Sequence, residues 1–266
     1  MDFPPIGLGT YDLTDPETCR SAVATAVDLG YDHVDTAQSY GNEDLVAAGL
    51  ARADRDADDV FVATKLDTGN LAYDDVLATA RESADRLDVD AIDLLYVHWP
   101  IDAYDPAETL PALDELVDDG LVERIGLSNF LPEQLETALD ELEAPVAAHQ
   151  IEMHPLLPQS RLHDLAVEHG HRLVAYCPIA RNEVADVPEI VAVADAHGAT
   201  PAQVSLAWLH AKEQVTPIPR SGSAAHIREN YAALELKLSD EELAAIDGIE
   251  RRHRIVDFPA APWNQA

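Results

Sequence analysis

Asp35, Tyr40, Lys65 and His98 each stand where a strand-like run gives way to a loop. HVDTAQSYGNE carries the first two, VFVATKL carries Lys65 and DLLYVHWP carries His98. Singly, each has an ordinary structural use: an aspartate after a strand caps a helix, a tyrosine packs with its hydroxyl wet, and a histidine beside Trp99 sits satisfied in a core. A lysine in an otherwise apolar strand is different, because an unpaired buried ammonium is costly. Brought to one mouth, the four make a proton-transfer device. A free phenol titrates near pH 10, too high for exchange near neutrality. An ammonium about 4 Å away contributes roughly 4 kcal/mol at an effective dielectric of 20, enough to lower the phenol by up to about three pH units. Asp35 is expected to keep Lys65 charged and aimed, and His98 to hydrogen-bond a carbonyl oxygen. Tyr40 then serves as general acid in reduction and general base in oxidation, a role worth roughly 10²–10⁴ in rate.

The elements that must position these residues alternate along the chain. IGLGTY, HVDTA, VFVATKL, DLLYVHW, ERIGLSNF, VAAHQIEM, RLVAYCPIA and VTPIPRS read as eight strands. Amphipathic helices separate them: one starts at Asp15-Pro16 with a carboxylate cap and a first-turn proline and ends at Gly30, and YDDVLATARESADRL and PAETLPALDELVDD follow later. Short apolar strands interleaved with helices predict a parallel sheet covered by helices, and eight repeats closing on themselves predict a (β/α)8 TIM barrel. Such a barrel typically takes about 250 residues, so all of 1–266 is expected to be one domain. GLGTYD lacks the third glycine of the dinucleotide fingerprint of open sheets, and no P-loop, H-E-x-x-H or G-x-S-x-G occurs.

Fifty acidic residues face seventeen basic ones, for a formal net charge of −33, and lysine occurs only at Lys65, Lys212 and Lys237. Self-repulsion of this size destabilises a compact state unless salt screens it, a halophilic pattern. At molar salt the Debye length falls to about 3 Å. The surface argues against nucleic acid, whose phosphates need basic partners. No apolar run is long enough to span a bilayer, and the amino terminus has no basic start followed by an apolar stretch. Cys19 and Cys177 form no disulfide framework, which fits a reducing cytoplasm.

With DTAQSYGNE, the lysine strand and YVHWP in hand, the chain resembles the aldo-keto reductases. The likeness runs from GLGTY through GLSNF and HQIEMHP to IPRSGSAAHIREN. It implies a monomeric β/α barrel without a metal that uses a nicotinamide dinucleotide on a small carbonyl substrate, with Asp35, Tyr40, Lys65 and His98 as the catalytic tetrad. It places Ser128, Asn129 and Gln150 at the nicotinamide carboxamide and Tyr176 on the nicotinamide ring. Gly9 and Thr10 fall beside the cofactor, Arg220 and Ser221 near the adenosine 2′-phosphate, and Glu229 and Asn230 around the adenine. The chain departs from the family pattern in having His226 where an arginine is common over that phosphate, Arg220 for lysine, and Cys177 for serine. NADP is therefore the cofactor implied, with NAD allowed. The amino-terminal hairpin usual in the family is expected to be shortened or missing.

Loops set specificity on this fold, and those after His98 and after strand seven read as short. Tyr11, Trp99, Phe130 and Trp263 are the expected apolar walls, with the tail RIVDFPAAPWNQA folding Trp263 over the pocket. Small aldehydes, dicarbonyls or keto-sugars fit such a pocket. Two other readings stand beside the reductase: a catalytically weak nicotinamide-binding scaffold or redox sensor on the same fold, and a metal-dependent hydrolase drawing on His149, His154 and His163.

Overall fold

The computed structural model describes residues 3–265; Met1, Asp2 and Ala266, the ends of the expected 1–266 unit, lie outside the described residues. Eight parallel strands occur in consecutive order: β1 (Leu8–Gly9), β2 (His33–Asp35), β3 (Phe61–Leu66), β4 (Leu94–Val97), β5 (Ile125–Ser128), β6 (Val146–Glu152), β7 (Arg172–Tyr176) and β8 (Val215–Pro217). The sheet closes on itself where the Gly7 and Gly9 amides donate to Pro217 O and Pro219 O, at 3.0 and 3.2 Å, and Gly9 bridges Arg220. The fold is a (β/α)8 barrel.

Between the strands run α1 (Pro16–Leu29), α2 (Glu43–Leu50), α3 (Tyr73–Leu87), α4 (Pro106–Asp118), α5 (Pro132–Glu141) and α6 (Ser160–His169). The Asp15 carboxylate accepts from the Thr18 amide at 2.9 Å and Gly30 closes α1 at φ 114°, as the sequence pattern predicts. The stretch after β7 is longer than the short loop expected. A 3₁₀ segment over Ala180–Asp186 leads into α7 (Pro188–His197), and α8 (Pro201–His210) follows behind a Thr200–Gln203 capping box. Beyond β8 come α9 (Ala224–Ala232), α10 (Asp240–Asp247) and a tail that returns to the carboxyl mouth. Among the described residues, no helix is long and apolar enough to cross a membrane.

Period-two alternation sorts each strand into a face toward the helices and a face toward the barrel axis. Phe61, Ala63, Leu94, Tyr96, Ala148, Val174 and Ile218 pack together along the axis. Lys65 continues the column begun by Phe61 and Ala63, and His98 continues Leu94 and Tyr96. Gln150 follows Ala148, and Tyr176 follows Val174. The mouth residues are thus the last members of inward columns whose lower members are apolar. At the opposite end the Phe3 ring meets Phe61 at a tilt and His33 edge-on, at 5.1 and 6.2 Å between centroids, and Thr216 Oγ1 donates to Pro4 O. Among the described residues, Phe3 and Pro4 lie against the barrel floor there.

Candidate active site

Lys65 is fully buried, and its ammonium donates to Asp35 Oδ1 at 2.5 Å and to Thr36 O at 2.7 Å. The other Asp35 oxygen accepts from Gln150 Nε2 at 2.7 Å, across the barrel from β6. Thr10 supports this corner through its amide and hydroxyl, both 3.0 Å from Asp35 O. Asn42 ties Thr10 O and Leu13 O to the Thr36 hydroxyl, and so fixes the β1 and β2 loops to one another.

Tyr40 ends a 3₁₀ turn over Gln38–Tyr40 and stands half-buried above the ion pair, with Lys65 Nζ 5.1 Å from its ring centroid. The His98 ring meets it edge-on at 5.7 Å, and Tyr11 does so from the solvent side at 5.3 Å. His98 Nδ1 lies 3.4 Å from Ser39 Oγ, while its carbonyl accepts from Asn129 Nδ2 at 3.0 Å.

The electrostatics correct one expectation. Burial, then the Asp35 carboxylate, push the Tyr40 phenol well above its ordinary value rather than below it. Burial is the larger cause, and Lys65 does not offset it: its ammonium points into Asp35 and Thr36, so its field is largely cancelled before it reaches the phenol. Burial lowers Lys65 itself, against the opposing pull of Asp35. Burial, then Lys65, take His98 down to about 3. Near neutrality the mouth therefore presents a neutral phenol and a neutral imidazole over a neutralised ion pair.

Ser128, Asn129 and Tyr176 form a connected group beside this centre. Ser128 Oγ donates to Gln150 O at 3.0 Å, Asn129 Nδ2 lies 3.0 Å from Ser128 Oγ, and the Tyr176 hydroxyl donates to Asn129 Oδ1 at 2.8 Å. Asn129 is held at φ 63°, a left-handed conformation that asparagine tolerates. Gln150 is not free to face a cofactor with its amide nitrogen, which is committed to Asp35. Cys177 follows Tyr176 with its thiol pushed up to about 11 by burial.

Further along the mouth, Arg220, Ser221 and His226 line a second cavity of about 530 Å³ beside the amino-terminal turn of α9. Gly222 lets this loop lie on α1, since a Cβ there would come within 2.7 Å of Thr18 Cγ2. Arg220 is already engaged, by Tyr11 O, Asp12 O and Asp12 Oδ2 at 3.0 to 3.3 Å. Glu229 and Asn230 lie on α9, Asn230 buried and Glu229 accepting from Gln203 at its backbone oxygen. The cavity offers an anion a guanidinium, hydroxyls and a helix start, and so fits a phosphate-bearing nucleotide. It also carries Asp12 and Asp15, which the sequence reading did not single out.

Of the expected walls, Tyr11 is exposed, and Trp99 packs against Trp263 at 5.6 Å and Phe258 at 4.9 Å. Phe130 is mostly core, its ring on Tyr104, and only its edge reaches a cavity shared with Trp263. The three histidines of the hydrolase reading do not converge. His149 is buried beside His171, His154 Nε2 lies 3.0 Å from Glu152 Oε1, and His163 contacts Glu213 O. Glu152, buried at the end of β6, was missed; it accepts from the Ile255 and Val256 amides at 2.5 and 2.7 Å and holds the tail in place.

Comparison with known proteins agrees with this fold. The profile of the Aldo/keto reductase family matches residues 5–251. An aldo-keto reductase of Mycobacterium sp. (strain KMS) is 37% identical over 97% of this chain and 93% of its own length. A methylglyoxal reductase of Yersinia pestis is 35% identical over 99% of this chain and 100% of its own. The crystal structure of a Bombyx mori aldo-keto reductase in complex with NADP superposes with a TM-score of 0.88 at 29% identity, covering 97% of this chain and 92% of the other.

Proposed function

The chain belongs to the aldo/keto reductase family and is an NAD(P)H-dependent oxidoreductase, and from that premise we propose that it reduces small aldehydes, dicarbonyls or keto-sugars to alcohols with Tyr40 as the general acid. The observation that carries this reading is the buried Lys65–Asp35 pair directly beneath the Tyr40 ring, with a neutral His98 facing the same space. The similarity to a methylglyoxal reductase of Yersinia pestis supports dicarbonyls among the substrates.

In this mechanism the cofactor supplies a hydride to the carbonyl carbon; NADP is the proposed form, as in the Bombyx complex. Tyr176, Ser128 and Asn129 would flank its reactive end, and Arg220, Ser221 and His226 its phosphate. Neutral His98 donates a hydrogen bond to the substrate oxygen and orients it toward the phenol. Tyr40, protonated throughout the neutral range because burial disfavours the phenolate, delivers its proton as negative charge develops on that oxygen. That event makes the phenolate transient, and Lys65 then becomes the nearest cation to it. Gln150 and Thr36 keep Asp35 and Lys65 aimed.

The unit we propose is a single domain spanning the chain, acting as a monomer in a salt-rich cytoplasm. A formal charge of −33 supports the salt-rich setting, since salt is needed to screen the repulsion within each copy. The test is a steady-state comparison of NADPH and NADH against a panel of carbonyls in molar KCl. Turnover of small aldehydes or methylglyoxal is expected. Tight NADPH binding with no turnover across the panel would replace the reductase by a nicotinamide-binding sensor.

A further inference from the structure

The turn that carries Tyr40 is short and is held mainly from its flanks. Its own backbone supplies two bonds, the Tyr40 amide to Ala37 O at 3.1 Å and the Gly41 amide to Gln38 O at 3.2 Å. A single 3₁₀ turn of this kind is weak alone. On one flank Asn42 fastens it to the β1 loop through Thr10 O and Leu13 O. On the other stands Gln38, a half-buried residue for which neither the proton chemistry nor the cofactor accounts.

The Gln38 amide uses its full hydrogen-bonding capacity. Its Oε1 accepts from the Asp67 amide at 2.8 Å and from Asn70 Nδ2 at 3.1 Å, and its Nε2 donates to Thr79 O and Ser83 Oγ, both at 3.1 Å. A backbone N–H can only donate and a carbonyl can only accept, so the amide has one allowed orientation. A carboxylate cannot take its place. Asp67 lies two residues beyond Lys65, and Gln38 lies two residues before Tyr40. One side chain therefore spans the exits of β2 and β3, the strands that deliver the phenol's turn and the ammonium. The α3 end of this clamp is fixed in its turn. Ser83 Oγ reaches Glu43 Oε2 at 3.4 Å, and buried Glu43 takes the Thr64 hydroxyl at 2.6 Å and Arg86 Nε at 2.7 Å. Thr64 is the residue before Lys65, so both ends of the bridge close on β3 beside the ammonium.

We propose that Gln38 is a positioning residue for the proton donor: its amide clamps the turn of Tyr40 to the exit of β3 and so fixes the phenol over Lys65. This rests on the reading of Tyr40 as general acid. Gln38 acts only through Tyr40 and takes no part in the chemistry. Proton delivery is sensitive to placement, and a displacement of about 1 Å can cost on the order of 10²-fold in rate.

The test uses the full chain in molar KCl, with methylglyoxal as substrate, and compares wild type with Gln38→Met and Gln38→Glu. Methionine keeps the length of the side chain and removes all four bonds. Its kcat should fall at least tenfold, while KM for methylglyoxal and NADPH affinity, read by quenching of tryptophan fluorescence, stay within twofold. Glutamate keeps the acceptor and regains a donor for Thr79 O only when protonated. The charged groups around that carboxyl are Asp67, Glu43 beyond Ser83, and Arg86 paired with Glu43. The kcat of Gln38→Glu should therefore rise at least threefold from pH 8 to pH 6, where that of wild type is flat. A role confined to stability would lower the melting temperature of both variants and give neither the kcat-specific loss nor the new pH limb. Gln38→Met within twofold of wild type in kcat, a loss carried instead by KM or NADPH affinity, or a low and flat kcat in Gln38→Glu each overturns the proposal and leaves the reductase reading intact. A wild type that turns over neither methylglyoxal nor any other small aldehyde removes the reductase reading and this one with it.

Discussion

Lys65 is the residue whose burial asks most for an explanation. Its ammonium is fully enclosed, and what makes that tolerable is Asp35 at 2.5 Å and the Thr36 carbonyl at 2.7 Å. Removing one partner of such a pair leaves an uncompensated charge, which typically costs about 3–5 kcal/mol. Lys65→Met should therefore lower stability to urea by about that amount and abolish turnover. Adding Asp35→Asn should restore much of the stability and none of the activity; recovery of neither, or of both, would contradict the separation of roles. The same environment sets the pH profile. The phenol of Tyr40 is pushed up and the imidazole of His98 down to about 3, so neither titrates between roughly pH 6 and 8. The kcat for carbonyl reduction should be flat across that window. A limb near pH 7 would mean that one of the two pKa values does not lie where burial puts it.

At the level of strands and helices, β4 and β5 show how closely the interior is fitted. Tyr96 fills the axis below His98, and Gly126 on β5 makes room for it: a Cβ there would lie 2.3 Å from Tyr96 Cδ1. The ring is rigid and fully buried, so Gly126→Ala should cost about 1–3 kcal/mol by overpacking. Combining it with Tyr96→Leu should recover part of that in a thermal melt, and full additivity of the two losses would contradict the contact. Much of this layer was legible beforehand. Strand ends carrying Asp35, Lys65 and His98 follow from period-two alternation, because each closes a column of inward residues. The tail and the β7 loop were less legible. The Pro188 start and Gly198 stop of α7 are ordinary signals, but they follow directly on a loop-like stretch with no strand between to set them apart. Glu152 answers to the same logic that singled out Lys65, a charge within an apolar strand. Its partners, however, are backbone amides about a hundred residues away, and no residue type announces those. The direction of the Tyr40 shift is not legible from residue types, because burial sets it first and the Asp35 carboxylate, which absorbs the field of Lys65, adds to it.

For the molecule as a whole, charge and buried histidines act in different ranges of pH and salt. Few of the acidic residues can pair with only seventeen bases. Raising KCl from low to molar concentration should increase both melting temperature and activity as the Debye length shrinks to about 3 Å; equal stability in dilute buffer would remove the salt-dependent account. Acid acts through the interior. His33, His149 and His171 are buried, with burial holding them near 4, 3 and 4 respectively, against about 6.5 when unfolded. These are bases depressed by folding, so the unfolded chain binds protons first. Stability is full above about pH 6.5 and declines as pH falls toward 4. Each histidine forfeits roughly 2 kcal/mol by pH 5. A urea midpoint unchanged between pH 7 and 5 at constant molar salt would contradict neutral burial of these rings.

The proton donor is the centre of the account, and one substitution addresses it. In molar KCl, oxidation of NADPH with saturating methylglyoxal is followed for the wild type and for Tyr40→Phe, alongside NADPH affinity for both. The predicted result is a loss of at least about a hundredfold in kcat, consistent with removal of a general acid, with cofactor affinity within twofold of wild type. Turnover by Tyr40→Phe within a few fold of wild type would contradict it.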